Sequence, residues 1–137
     1  MAKTTIRTSQ IHGHGLFTED NLRRGETILK IAGKLIATDK MTDAEVRAGR
    51  WQGVIPGKAL TNCGSHTKPS FINHSVTPNA EVKIPKFKNG DVPALTLVAI
   101  RDIKFDEEIT INYELEPMDE RCRRLIHEEL AKAPATT

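Results

Sequence analysis

The pattern of apolar and polar positions predicts a protein made mostly of short strands. Several stretches are β-branched, alternating or continuously apolar, and glycines or prolines separate them. The predicted strands lie in Thr4–Ser9, in two runs of Glu26–Thr38 around Gly33, in Gly49–Gly64, in Asn79–Ile84 and in Ala94–Ile100. We therefore expect a mostly β fold, in which Lys86–Asp91 forms an exposed hairpin tip.

Two stretches carry helical signals instead. Thr42 and Glu45 have capping-box spacing, so a short helix is expected to begin there. Near the C-terminus Pro117 suits a first helical turn, and we expect a helix over about 117–133. Its apolar stripe consists of Met118, Cys122, Leu125, Ile126 and Leu130. This stripe would cover either the body of the protein or a second subunit, so a homodimer through the helix is one of two alternatives.

One turn-and-strand pattern occurs twice. The segment around Leu22 resembles the segment around Ile103, and Gly25 in the first matches Asp106 in the second. Glycine adopts positive φ without a steric penalty, and aspartate tolerates it. We therefore predict one supersecondary unit used twice, with a left-handed residue at each of these two positions.

Composition limits the classes of function. The chain has 137 residues, which suits a single domain, and its 20 Lys and Arg against 18 Asp and Glu give a formal net charge of +2. This balance argues against direct nucleic-acid binding and against a membrane as a partner. The two cysteines, Cys63 and Cys122, are too few for a disulfide scaffold and fit a reduced compartment. No signal peptide or membrane span is visible, so a cytoplasmic location is expected, with a nuclear location or delivery into a host as the alternatives.

Three segments carry the candidate chemistry. In Gly13–Phe17 two glycines flank His14 and allow a ligand to approach the backbone closely. In Phe71–Ser75, followed by Pro78–Asn79, apolar residues lead into a polar turn whose groups need partners. The third segment, Glu107–Tyr113, ends on the only tyrosine of the chain. Each segment alone also fits an ordinary turn or strand.

Together and in this order, the three segments resemble the SET-domain family of S-adenosylmethionine-dependent protein lysine methyltransferases. The resemblance covers about Thr5–Tyr113, and the chain looks like the short stand-alone members of viruses and bacteria. It implies a single SET domain over 1–137, with a core at 4–114. The implied fold is a SET-type β-clip of several small curved sheets, in which Asn73–Ser75 threads under a loop near Tyr113 to form a pseudoknot. Cofactor and substrate would enter from opposite faces and meet in a narrow channel.

The resemblance implies roles for individual residues. His14 and Gly15 match the glycine turn whose backbone contacts the methionine part of the cofactor, and Asn73 matches the residue that binds its amino-acid end. His74 matches the histidine whose backbone pairs with the adenine, although its ring also fits a satisfied core histidine. Tyr113 matches the catalytic tyrosine, which we expect to orient the amine. The cofactor would be S-adenosylmethionine, released as S-adenosylhomocysteine, and the substrate a lysine on a protein, with histones and histone-like proteins among the alternatives.

Three positions depart from the family pattern. Ser70 stands where many members have arginine. Ile111 stands where many have an aromatic residue, which leaves the number of transferred methyl groups open. Val76 replaces a cysteine that joins a C-terminal cysteine cluster around zinc, and the sequence lacks that cluster too, so no metal is expected. The C-terminal helix is then a candidate for closing the substrate channel.

Two alternatives to the enzyme stay open. Ser70 and Ile111 also fit a non-catalytic SET-like protein-binding module that kept the shape and lost turnover. Cys63, His66 and His74 include a ligand-like Cys-x-x-His spacing, but the other ligands of such a metal site are undefined. A cofactor-binding and methylation assay separates the first alternative from the enzyme, and metal analysis tests the second.

Overall fold

The computed structural model describes residues 2–49, 51–61, 72–86 and 95–132. The predicted hairpin tip at Lys86–Asp91 lies outside these residues except for Lys86, and Cys63, His66 and Ser70 lie outside them as well. Within the described residues, no helix is long and apolar enough to cross a membrane.

Short strands in three small sheets make up most of the regular secondary structure in the described residues, which confirms the mostly β prediction. The strands are β1 (Thr4–Thr8), β2 (His14–Thr18), β3 (Thr27–Ile31), β4 (Lys34–Ala37), β5 (Trp51–Ile55), β6 (Lys58–Thr61), β7 (Asn73–His74), β8 (Ala80–Lys83), β9 (Leu95–Ala99) and β10 (Glu108–Ile111). The sheet orders are β1-β2-β10-β7, β3-β9-β8 and β4-β6-β5. Strands β2, β7 and β10 come from the three segments with candidate chemistry, and they are neighbours in one sheet.

The pairing of β7 with β10 is parallel and joins distant parts of the sequence. Asn73 lies opposite Thr110, and His74 lies opposite Ile111. The backbone N–H of Ser75 extends the pairing by donating to the Ile111 carbonyl oxygen at 2.9 Å. This is the contact between the Asn73–Ser75 segment and the end of the chain's β core that the pseudoknot prediction requires.

Asn79 completes the hydrogen bonding of β10 with its side chain. Its amide nitrogen donates to the Glu108 carbonyl oxygen at 2.8 Å, and its amide oxygen accepts from the Thr110 N–H at 2.9 Å. The side chain is almost fully buried, so both of its polar groups have the partners that burial demands. Asn79 thereby acts as a short substitute for a neighbouring strand.

The two predicted turns pair with each other. The N–H of Leu22 donates to the Ile103 carbonyl oxygen at 2.7 Å, and the N–H of Ile103 donates back at 2.9 Å. Gly25 has a φ of 93° and Asp106 a φ of 73°, which confirms a left-handed residue at both positions. The unit that the sequence repeats is therefore a pair of equivalent turns facing each other.

The hydrophobic core lies where the three sheets meet. Fully buried side chains come from every sheet, among them Leu16, Ile28, Leu60, Leu95 and Ile109. Because neighbouring positions on most strands are exposed or half-buried, each small sheet buries one face against the others.

Two helices form a second apolar cluster. Helix α1 (Asp43–Ala48) begins with the predicted capping box of Thr42 and Glu45. Helix α2 (Glu120–Lys132) begins after Pro117 rather than at it, because Asp119 accepts a hydrogen bond from the Cys122 N–H at 2.8 Å and caps the first turn. The cluster consists of Met41, Val46, Met118, Cys122, Leu125 and Ile126, so the stripe on α2 is covered mainly by residues of this same chain.

The repeated turn gives a conformational prediction. A Cβ at Gly25 would meet nothing within 4 Å, so a substitution there is opposed by backbone conformation and not by a clash. Gly25→Val should lower the free energy of unfolding by about 2 kcal/mol, because a β-branched residue is strained at this φ. Gly25→Asn should lose clearly less, since asparagine tolerates the left-handed region. Equal losses in urea unfolding would contradict the conformational explanation.

Candidate active site

The first part of the site is built around the side chain of Asn73, which is buried at the start of β7. Its amide nitrogen lies 3.1 Å from the carbonyl oxygen of His12, 3.0 Å from that of His14 and 2.7 Å from Oε2 of Glu108. Asn73 therefore ties the glycine turn before β2 to a side chain of β10. Two of the predicted site residues, Asn73 and His14, are in direct contact.

Glu108 belongs to this cluster, although the sequence analysis did not assign it a role. Its Oε1 accepts a hydrogen bond from Ser9 Oγ at 2.6 Å. Its carboxyl group also lies over Gly15, where an added Cβ would stand 2.7 Å from Cδ of Glu108. A side chain at position 15 would therefore displace the Glu108 carboxyl group. We call the Glu108 carboxylate and the carbonyl groups of His12 and His14 the acceptor cradle.

Tyr113 forms the second part of the site on a 3-10 turn directly after β10. Its hydroxyl donates to the carbonyl oxygen of Ile72, immediately before β7. Its backbone N–H donates to Nδ1 of His74 at 3.0 Å, and the two ring centroids are 5.2 Å apart. An accepting Nδ1 requires the neutral ring with its proton on Nε2. The His74 side chain therefore positions Tyr113, a contact that sequence reasoning did not identify.

The structure brings all five predicted site residues to one region. His14, Gly15 and Asn73 lie at the acceptor cradle, and His74 and Tyr113 lie on the other side of the β7 backbone. The two groups lie on opposite sides of β7 because side chains alternate along a strand, so Asn73 and His74 face opposite ways.

A cavity of about 40 Å³ adjoins Tyr113. Apolar side chains, among them Ile72 and Ile111, form most of its wall, and Gln52 and Glu116 add polar groups. We call this space the Tyr113 cavity. The amide nitrogen of Gln52 donates to Oε2 of Glu116, so β5 contributes a hydrogen bond to the cavity wall.

Burial controls protonation at the site. Burial raises the pKa of Tyr113 well above its usual value, and the carboxyl groups of Glu116 and Glu108 raise it further. The phenol therefore stays protonated at neutral pH and acts as a hydrogen-bond donor, which supports an orienting role over that of a base. Burial also lowers the pKa of His74, in agreement with its neutral ring.

Among the carboxyl groups of the site, Glu116 has the largest shift in pKa. Burial raises its pKa to about 8. Glu116 is not apparent as a site residue from the sequence, because an acidic residue between Leu115 and Pro117 resembles an ordinary exposed connection to the C-terminal helix. The only available signal was its place three residues after the candidate catalytic tyrosine.

The described residues offer no further ligands for a metal site that includes Cys63, His66 and His74. No group of three or more His, Cys, Asp and Glu side chains there is arranged to hold a metal ion. Cys63 and His66 lie outside the described residues, so their combination with His74 stays an untested alternative to the prediction of no metal. Burial, together with Asp119, raises the pKa of the Cys122 thiol to about 11, which disfavours the thiolate form that a metal needs.

Comparison with known proteins agrees with this arrangement. The family pattern described as SET domain matches residues 13–114. An Emericella nidulans histone-lysine N-methyltransferase, H3 lysine-4 specific, is 31% identical over 118 residues, which cover 79% of this chain and 9% of that protein. The chain therefore spans only a small part of this curated relative.

Solved structures show the same fold. The crystal structure of a Plasmodium falciparum protein, described as a candidate histone methyltransferase, has a TM-score of 0.65 at 25% identity and covers 82% of this chain and 94% of the other. A humanised mutant of the Chaetomium thermophilum polycomb repressive complex 2 has a TM-score of 0.67 at 27% identity, over 85% of this chain and 15% of the other. The chain belongs to the SET-domain family.

Glu116 makes the stability of the protein depend on pH. Its folded-state pKa of about 8 lies above the ordinary value of 4.5, so the folded protein binds more protons than the unfolded chain between these pH values. The contribution of Glu116 to the free energy of unfolding is complete below this interval and is lost as pH rises through it. Each pKa unit corresponds to about 1.4 kcal/mol, so the loss should reach a few kcal/mol.

Urea unfolding near both ends of this interval checks the prediction. Glu116→Gln should remove most of the fall in stability, because glutamine does not ionise. Glu120→Gln, at the exposed start of α2, removes the same charge and should leave the fall unchanged. A Glu116→Gln variant with the wild-type pH dependence would show that Glu116 is not buried in its neutral form.

Proposed function

We propose that this protein is a protein-lysine N-methyltransferase that uses S-adenosylmethionine. One observation carries the proposal: the parallel pairing of β7 with β10 joins a cluster of hydrogen-bond acceptors on one side of β7 to a protonated tyrosine on the other. Membership of the SET-domain family, in which the curated relatives are described as histone-lysine methyltransferases, supports it.

The acceptor cradle has the chemistry that a cationic cofactor needs. S-adenosylmethionine carries an ammonium group and a sulfonium, and it supplies the methyl group when bound. The cradle offers the Glu108 carboxylate and two carbonyl oxygens, all of which attract positive charge. Gly15 carries no Cβ and lets that carboxylate lie against the backbone, so the set of acceptors suits the ammonium group of this cofactor.

The residues of the site would act by positioning. Asn73 fixes the glycine turn against Glu108, and His74 fixes the backbone of Tyr113. The Tyr113 hydroxyl is a fixed donor near the junction of the two parts and would orient the attacking amine. Alignment of a nucleophile with a methyl group supplies a large part of the rate enhancement without a covalent intermediate.

For the substrate, we propose a lysine on a histone or histone-like protein, in line with the descriptions of the relatives. Transfer of labelled methyl from S-adenosylmethionine to purified histones and to a cell lysate tests this proposal, with Tyr113→Phe as the background. Cofactor binding without any labelled protein would favour the non-catalytic binding module. The oligomeric state, the absence of zinc and the cytoplasmic location stay predictions from the sequence.

Asn73 should be required for cofactor affinity. Asn73→Ala releases the carbonyl groups of His12 and His14 and leaves Glu108 with one donor fewer, so calorimetry should show affinity for S-adenosylmethionine reduced at least about tenfold. Asn21→Ala is a matched control, because its amide oxygen accepts from the Phe105 N–H at 2.8 Å in the paired turns. The control should keep its cofactor affinity, and equal losses in both variants would sink the assignment of Asn73.

Tyr113 should be required for turnover and not for cofactor affinity. Tyr113→Phe removes one oxygen and keeps the ring contact with His74. Because a preorganised donor acts mainly in the transition state, turnover should fall by about a hundredfold or more. Near-normal turnover in this variant would remove Tyr113 from the mechanism.

A further inference from the structure

Glu116 is a half-buried carboxyl group that the proposed mechanism does not use. It lies in the wall of the Tyr113 cavity, and its Oε2 accepts a hydrogen bond from the amide nitrogen of Gln52. The same amide nitrogen lies 3.1 Å from the carbonyl oxygen of Gly53, which fixes the Gln52 side chain on β5. Removing a carboxyl group from water in this way lowers the stability of the folded protein, which points to a role in binding.

Close backbone packing also fixes the position of Glu116. A Cβ at Gly53 would stand 2.9 Å from the carbonyl carbon of Pro117, the residue that follows Glu116. Only glycine allows β5 to approach this segment so closely. The carboxyl group is therefore held by Gln52 on one side and by the backbone contact on the other.

The cavity has the composition that a lysine side chain needs. Its apolar wall, which includes Ile72, Ile111 and Met118, suits a chain of methylene groups. Glu116 and Tyr113 add an acceptor of positive charge and a hydroxyl group. Glu116 also lines a second cavity, of about 130 Å³, on the side of Pro78, which offers a path between the carboxyl group and solvent.

We propose that Glu116 binds the ammonium group of the substrate lysine and accepts its proton before methyl transfer. This inference rests on the proposed function and adds a residue to it. An opposite charge at close range favours the carboxylate, so the entering ammonium group displaces the proton that Glu116 carries in the free protein below about pH 8.

The step balances in protons and electrons. A nitrogen–hydrogen bond of the ammonium group breaks, an oxygen–hydrogen bond forms on Glu116, and the nitrogen keeps the electron pair. That pair then forms the bond to the methyl carbon, and the electrons of the broken carbon–sulfur bond stay on sulfur. The product leaves as a methylammonium ion, and the proton stays on Glu116 until the next entering ammonium group displaces it to solvent.

None of the other polar groups that the structure describes around Glu116 is suited to accept this proton. Tyr113 is already protonated at neutral pH, and β5 contributes the uncharged Gln52. Arg123 on α2 donates to the backbone carbonyl oxygen of Glu116 at 3.0 Å. Glu81 on β8 lies in the wall of the second cavity and is exposed, so it competes poorly for a buried ammonium group.

Carbon NMR of the 137-residue chain with ¹³C-labelled glutamate carboxyl groups tests the ammonium site directly. The Glu116 signal is assigned by its loss in Glu116→Gln. Excess n-butylamine, which has the ammonium group and four carbons of a lysine side chain, should lower the titration midpoint of Glu116 by at least about one pH unit. The uncharged 1-pentanol should not lower it, and the Glu120 signal should not respond to either probe. An unchanged Glu116 midpoint in n-butylamine would overturn the proposal.

Single-turnover methyl transfer to the substrate found in the labelling screen tests the proton transfer. Glu116→Gln should bind S-adenosylmethionine normally and react about a hundredfold more slowly at neutral pH. Its rate should recover as pH rises toward the lysine pKa of ~10.4, because the amine then loses its proton without help. Glu120→Gln should behave as wild type, and a loss of rate in Glu116→Gln that is equal at every pH would overturn the role of proton acceptor.

If the wild type transfers no methyl group, the proposed function fails, while the NMR titration still decides whether Glu116 binds an ammonium group.

Discussion

The whole site depends on the parallel pairing of β7 with β10. A strand of two residues such as β7 has little stability of its own, so its pairing with β10 needs additional hydrogen bonds next to it. The Ser75 N–H and the Asn79 side chain supply them, with hydrogen bonds to Ile111 and to the two peptide groups at Glu108 and Thr110. Strands β2 and β10 also pair directly with each other, so the pairing of β7 with β10 adds Asn73 and His74 to the glycine turn and the tyrosine.

The pairing also distributes charge around Tyr113. Its hydroxyl lies under the influence of two carboxyl groups, Glu108 at the acceptor cradle and Glu116 in the cavity wall. Glu108 is compensated by Ser9 and Asn73, whereas burial leaves Glu116 with a raised pKa. A carboxyl group with a raised pKa lowers the free energy of unfolding at neutral pH, and such groups are typical of sites for binding or catalysis.

Local patterns predicted much of the fold. Strands β3 to β6, β8 and β9 lie in the stretches that alternate or are apolar, and the left-handed φ of Asp106 follows from its match to Gly25. The start of α2 was placed too early, because Pro117 suits a first turn and the capping role of Asp119 depends on the fold. Chain order and spacing identified the five predicted site residues through the family resemblance.

Contacts between distant residues could not be read from the sequence. Glu108 looks like the charged start of a strand, and only the close approach of Gly15 and the donors Ser9 and Asn73 reveal its place at the cradle. Glu116 and Gln52 meet because Gly53 lets β5 touch the backbone of Pro117, a packing detail that no local pattern records. Tertiary hydrogen bonds of this kind determine which polar residues belong to a site.

Amide hydrogen exchange with and without S-adenosylhomocysteine tests the central claim most directly. If the β7–β10 pairing unites the site, the bound product should slow exchange together at 12–15, 73–75 and 108–113. The sheet of β4, β5 and β6 should be unaffected, because it lies outside the acceptor cradle. Binding that leaves the amides of Ser75 and Tyr113 unchanged, or that protects the β4–β6–β5 sheet instead, would contradict the account.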